Sequence, residues 1–92
     1  MLGYRRRPEA LLTELPNRTG LVLNLQKRCY YPLSATGVLL WRLFDNHEVV
    51  DEVALSEFLV EKFGLGHETA KADVQLFLKR LVDESILDAV FV

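Results

Sequence analysis

The chain has 92 residues, of which 50% are hydrophobic and 26% charged, the balance of one small globular domain. Its formal net charge of −2 gives no general attraction to nucleic acid or to an anionic membrane, and no apolar run is long enough to span one. A single cysteine, Cys29, excludes an internal disulfide, so the fold must rest on its core, which suits a reducing cytoplasm.

Taken in order, residues 1–8 read as a flexible arm ending at Pro8. Arg5-Arg6-Arg7 has no apolar stretch behind it, so it is not a signal peptide, and short charged termini are usually just solvated. Ala10 to Leu15 alternates weakly. Leu21 to Gln26 alternates cleanly, with Leu21, Leu23 and Leu25 facing one way and Val22, Asn24 and Gln26 the other. Between these runs, Pro16-Asn17-Arg18-Thr19-Gly20 is rich in turn formers and predicts a hairpin. Gln26-Lys27-Arg28 then turns the chain into a third strand, Cys29 to Leu33, although this turn has no glycine. Pro32 cannot donate to a ladder, which suits an edge, and the last strand of a meander is an edge.

At Ser34 the pattern changes to helical. Ser34 is placed as N-cap, and Leu33 and Val38 flank it as a hydrophobic staple. Gly37, Leu40, Trp41 and Phe44 share one face, yet Val38, Leu39 and Leu43 are apolar too, so this helix must be covered on several sides. A polar link, Asp45 to Glu48, leads to a second helix capped by Asp51, with Val50 and Leu55 as its staple. Its apolar set is Ala54, Leu55, Phe58, Leu59 and Phe63, and Gly64 and Gly66 end it. A third helix runs from about His67 to Glu84, with the stripe Ala70, Val74, Phe77, Leu78 and Leu81. The tail from Ile86 to Val92 is apolar enough to be extended and packed. Three strands followed by three helices make one small α+β domain, with the helices on one side of an antiparallel sheet.

Catalytic constellations are missing. His47 and His67 sit in polar links without metal-ligand spacing, and there is no phosphate loop or nucleophile elbow. Cys29 has Lys27 and Arg28 nearby, but a lone cysteine in a strand usually serves as a small packed residue. The reading is therefore a binding module with no cofactor and no metal. Its notable feature is the edge strand Cys29–Leu33, whose unpaired main-chain groups can accept an added strand unless Lys27, Arg28 and Pro32 guard it.

The string Tyr30-Tyr31-Pro32-Leu33-Ser34-Ala35-Thr36-Gly37-Val38-Leu39-Leu40-Trp41-Arg42-Leu43-Phe44-Asp45 resembles the Tyr-Tyr-x-Leu-Asn-x-x-Gly-x-x-Leu-Trp-x-Leu pattern of PqqD-like proteins. Ala72-Asp73-Val74, Phe77-Leu78 and Leu81-Val82 are similar to the third-helix pattern of that family, and the likeness runs from about residue 10 to 87. The family is named for the D protein of pyrroloquinoline quinone synthesis. The resemblance implies a winged-helix-like domain, three strands then three helices, with no catalysis of its own. It implies binding of the leader of a ribosomally made precursor peptide and presentation to a modifying enzyme, in the founding pathway a radical S-adenosylmethionine enzyme. The peptide would add to the third strand and pack against the third helix. Ser34 stands where the family pattern has asparagine, Gly66 and His67 where it has an acidic cap and a proline, and Ser85 where it has a glycine.

Placed on this chain, the expected peptide-binding residues are Arg28, Cys29, Tyr30 and Tyr31 on the strand and Ala70, Asp73, Phe77 and Arg80 on the helix. The opposite helix flank, Lys71, Gln75 and Val82, is the other choice. Two further function classes compete with peptide binding. A winged-helix DNA-binding protein is one, but Glu68, Asp73, Asp83 and Glu84 make the would-be reader helix acidic. A domain that only forms homodimers through its apolar tail is the other.

Overall fold

A computed structural model describes all of residues 1–92. The elements are β1 (Leu2–Arg6), β2 (Ala10–Glu14), β3 (Gly20–Asn24), β4 (Cys29–Leu33), α1 (Ala35–Asn46), α2 (Glu52–Phe63), α3 (His67–Asp83) and β5 (Leu87–Phe91). The antiparallel meander β2-β3-β4 forms as expected, with Val22 opposite Leu12 on one side and Tyr31 on the other.

One side chain explains why the β3–β4 turn needs no glycine. Asn24 Oδ1 accepts from the main-chain N–H groups of Gln26 and Lys27, both at 3.1 Å, an Asx-type turn that folds the chain back. Arg28 then takes the left-handed conformation at φ 56° to enter β4. Gly20, at the other end of β3, is glycine for want of room. A Cβ there would lie 2.8 Å from Leu12 Cδ1 and 3.0 Å from Val38 Cγ2 of α1.

The N-terminal arm is a correction. Leu2–Arg6 is not flexible but forms β1, paired antiparallel with β5, so that a two-stranded ribbon joins the expected sheet. Tyr4 and Val50 exchange both main-chain hydrogen bonds at 2.8 Å, and Arg7 N–H donates to the Ile86 oxygen at 3.0 Å. The arginines that suggested a solvated segment lie along a strand held by its main chain. Their own partners are acidic neighbours: Arg6 pairs with Asp45, and Arg7 with Glu9 and Asp88.

The caps sit where the sequence puts them. Ser34 Oγ accepts from Gly37 N–H at 3.1 Å, and Asp51 Oδ1 from Ala54 N–H at 2.7 Å. Leu33 and Val38, and Val50 and Leu55, are buried on either side of those caps. Gly64 ends α2 in the left-handed conformation, φ 67°, and donates to the Val60 oxygen. Trp41 has no exposed surface, and its ring lies 6.2 Å from that of Phe44, so α1 is the centre of the core. Val38, Leu40 and Phe44 from α1 meet Leu55 and Leu59 from α2 and Ala70, Val74, Leu78 and Leu81 from α3 in one cluster. The apolar set of α2 is only partly used: Leu55 and Leu59 are buried, while Phe63 is 45% exposed.

The two faces of the sheet divide differently from what leucine content suggests. Val22 and Asn24 face the core, whereas Leu23 and Leu25 stand exposed and Leu21 half-buried on the outer face.

Candidate functional site

β4 pairs with β3 on one side only, so its other edge is open. An edge of this kind leaves main-chain donors and acceptors without partners, and Pro32 removes one donor from the row. Tyr30 and Tyr31 point to opposite faces, as strand geometry requires. Tyr30, opposite Leu23, is 68% exposed on the outer face. Tyr31, opposite Val22, is half-buried on the core side and packs against the core.

Beyond that edge lies a groove of about 360 Å³ between β4, the first turn of α1 and one flank of α3. Tyr31 and Pro32 form its strand wall, Ser34 and Thr36 its end at α1, and Asp73, Leu76, Phe77 and Arg80 its helix wall. The floor is apolar and belongs to the core, with Leu33, Leu40, Leu59 and Leu81 all buried. Leu76 is 49% exposed and Phe77 half-buried, so the helix offers an apolar ridge to whatever enters. Asp73 and Arg80, one on each side of that ridge along the helix, make no ion pair within the chain and keep their charges free. Such a site is an apolar slot with a main-chain ladder on one wall and one charge of each sign on the other. It fits an extended chain better than a small polar molecule.

Of the residues named from sequence, Tyr31, Asp73, Phe77 and Arg80 come together around this groove. Arg28, Cys29 and Tyr30 are exposed along β4 and its entry turn, and do not line the slot itself. Cys29 was expected to be a packed residue and is exposed instead: it shares the inward face with Asn24 opposite it, but stands at the start of the edge strand. Ala70 requires correction. It has no exposed surface and packs in the core, because the helix turns it inward with Val74, Leu78 and Leu81. The helix residue missed from sequence is Leu76. An exposed leucine at i+3 from Asp73 and i−4 from Arg80 was the available signal, since it shares their face. The competing flank lies elsewhere: Gln75 and Val82 line a separate cleft with Tyr4 and Ala89, on the side of the β1–β5 ribbon.

Three comparisons bear on this arrangement. No curated protein sequence matches the chain. Among solved structures, the complex titled "TbiB1 in Complex with the TbiA(beta) Leader Peptide" is similar with a TM-score of 0.80 at 18% identity, covering 91% of this chain and 94% of that one. The structure "Lasso peptide synthetase B1 complexed with the leader peptide" is similar with a TM-score of 0.76 at 21% identity, covering 92% and 96%. At these identities the likeness establishes the fold alone. The family model for coenzyme PQQ synthesis protein D (PqqD) matches residues 19–87, which include the whole of the groove and its strand edge. The chain belongs to the PqqD family.

Proposed function

We propose that this protein binds the leader segment of a ribosomally made precursor peptide and presents it to a peptide-modifying enzyme, without catalysing a step itself. The observation that carries the reading is the open edge of β4 beside a groove walled by Tyr31, Leu76 and Phe77. The leader extends the sheet as a strand next to β4, main-chain pairing supplies a sequence-independent part of the affinity, and the groove selects side chains. Pairing ends at Pro32, which has no N–H, so the register is set at Cys29, Tyr30 and Tyr31. Alternate leader side chains point into the slot, where Leu76 and Phe77 take apolar groups, and Asp73 and Arg80 favour opposite charges near its two ends. Membership of the PqqD family supports this reading, as do two solved proteins of the same fold, each in complex with a leader peptide. The modifying enzyme is of the radical S-adenosylmethionine type if this copy serves a pathway like that of the founding member. No helix is long and apolar enough to cross a membrane, and the reading calls for no membrane.

Fluorescence anisotropy with a labelled leader, taken from the precursor peptide of this protein's pathway, tests the reading. Saturable binding to the wild-type protein, weakened about tenfold or more by Phe77→Ala, is the expected result. Equal affinity in both proteins would place the peptide elsewhere.

A further inference from the structure

The outer face of the β2–β3–β4 sheet is apolar where an antiparallel sheet with one packed face is normally polar. Leu11, Leu23 and Tyr30 stand directly opposite one another in a row across all three strands. Their exposures are 51%, 37% and 68%. Leu21 and Pro32 continue the row beside it, and Leu25, 51% exposed, lies beyond its other side. Leucine has no special preference for strands, and Leu11 and Leu25 leave about half their surface in water, so burial within the fold accounts for only part of this patch.

The charges around the patch are of one sign. The β2–β3 turn carries Arg18 at one end, and the β3–β4 turn carries Lys27 and Arg28 at the other. None of the three makes an ion pair. The nearby acids are already engaged, Glu14 by Arg42 and Glu9 by Arg7. This argues against a second copy of the chain as the occupant. A two-fold axis along the strands lays Arg18 over Arg18, and one across the strands lays Arg18 over Lys27 and Arg28. Both aligned face-to-face pairings set like charges together, which disfavours those contacts.

We propose that this outer face docks a protein partner whose own surface is apolar at its centre and carries carboxylates at both ends. Building on the peptide-binding reading above, that partner is the modifying enzyme to which the leader is presented. Continuity of the two surfaces supports the assignment. A strand added to β4 lies next to Tyr30, and those of its side chains that point away from the groove extend the same outer face. The enzyme thus meets a surface made partly by the sheet and partly by the leader, and distinguishes the loaded protein from the empty one.

The test uses the purified modifying enzyme of this protein's pathway, with titration calorimetry against the full chain, leader-free and leader-loaded. The double variant Leu11→Thr/Leu23→Thr keeps strand propensity and removes the apolar row. Arg18→Asn/Lys27→Gln removes charge, and asparagine tolerates the left-handed conformation of residue 18. The expected result is enzyme binding weaker by about tenfold or more in the leucine variant and reduced with less salt dependence in the charge variant, while leader affinity stays within about twofold. Loaded wild-type protein is expected to bind the enzyme more tightly than empty protein. Unchanged enzyme affinity in both variants, a parallel loss of leader affinity, no enzyme binding by the wild type, or a wild-type dimer that the leucine variant dissolves would each overturn the proposal. Enzyme binding that depends on Leu11 and Leu23 in a protein that fails to bind leader would uphold the docking face and refute the peptide reading instead.

Discussion

Asn24 on β3 donates from Nδ2 to the main-chain oxygen of Ser85, 3.3 Å away and 61 residues later in the chain. A second donation reaches the Glu84 oxygen at 3.4 Å. With its Oδ1 closing the turn into β4, this one amide ties the strand that borders the open edge to the end of the helix that walls the groove. At 2% exposure it is buried, and an amide so placed stabilises only while its partners are present. Asn24→Ala is expected to lower stability by about 2–3 kcal/mol, read from urea midpoints. A loss below about 0.5 kcal/mol would mean that water replaces the amide at little cost.

Ser85 is itself informative. It sits at φ 60°, in the left-handed conformation, just past α3. Its N–H donates to the Val82 oxygen at 3.0 Å, and Ile86 N–H to the Leu81 oxygen at 2.9 Å. These are the two bonds of a Schellman ending, whose left-handed position favours glycine. Ser85→Gly is expected to raise stability by about 1 kcal/mol. A decrease would show that the serine side chain makes up more than the strain it causes.

Trp41 fills the middle of the core with no exposed surface, and its Nε1 makes no hydrogen bond within the chain. Trp41→Ala therefore removes packing rather than a polar contact, and is expected to cost about 3–5 kcal/mol. Chemical denaturation of the two proteins measures it, and a loss under about 1 kcal/mol would contradict the central place given to α1.

Duplex DNA gives a contrasting expectation. The exposed surface of α3 and its C-cap includes Glu68, Asp73, Asp83 and Glu84, and Lys79 is held by Asp83 at 3.0 Å. Mixed-sequence duplex at physiological salt should show no sub-micromolar binding, because too few free cations face outward on the helix that would read the groove. Tight binding that persists as salt rises would contradict this.

Most of the fold was legible because local signals and burial agree. Ser34 and Asp51 cap their helices as read, and the stripe Val74, Leu78 and Leu81 is buried. What was hidden depends on distant partners. β1 is a strand because β5 and Val50 pair with it, and nothing within Leu2–Arg6 announces those partners beneath its arginines. The turn at Lys27–Arg28 looked deficient for lack of glycine, while the compensating group, Asn24, sat in the strand before it. The site was read in part for a related reason. Helical spacing groups Ala70 with Asp73, Phe77 and Arg80, but burial turns Ala70 to the core and brings Leu76 into its place on the groove wall. A period tells which residues share a face, and packing decides where that face looks.

Main-chain amide shifts followed while the leader is titrated into the labelled protein test the central claim most directly. The account predicts that Cys29, Tyr30 and Tyr31 move together with Asp73, Leu76, Phe77 and Arg80, while the far side of α3 at Gln75 and Val82 stays still. Shifts that cluster on α2 or along β2, with residues 29–31 unmoved, would contradict strand addition at β4.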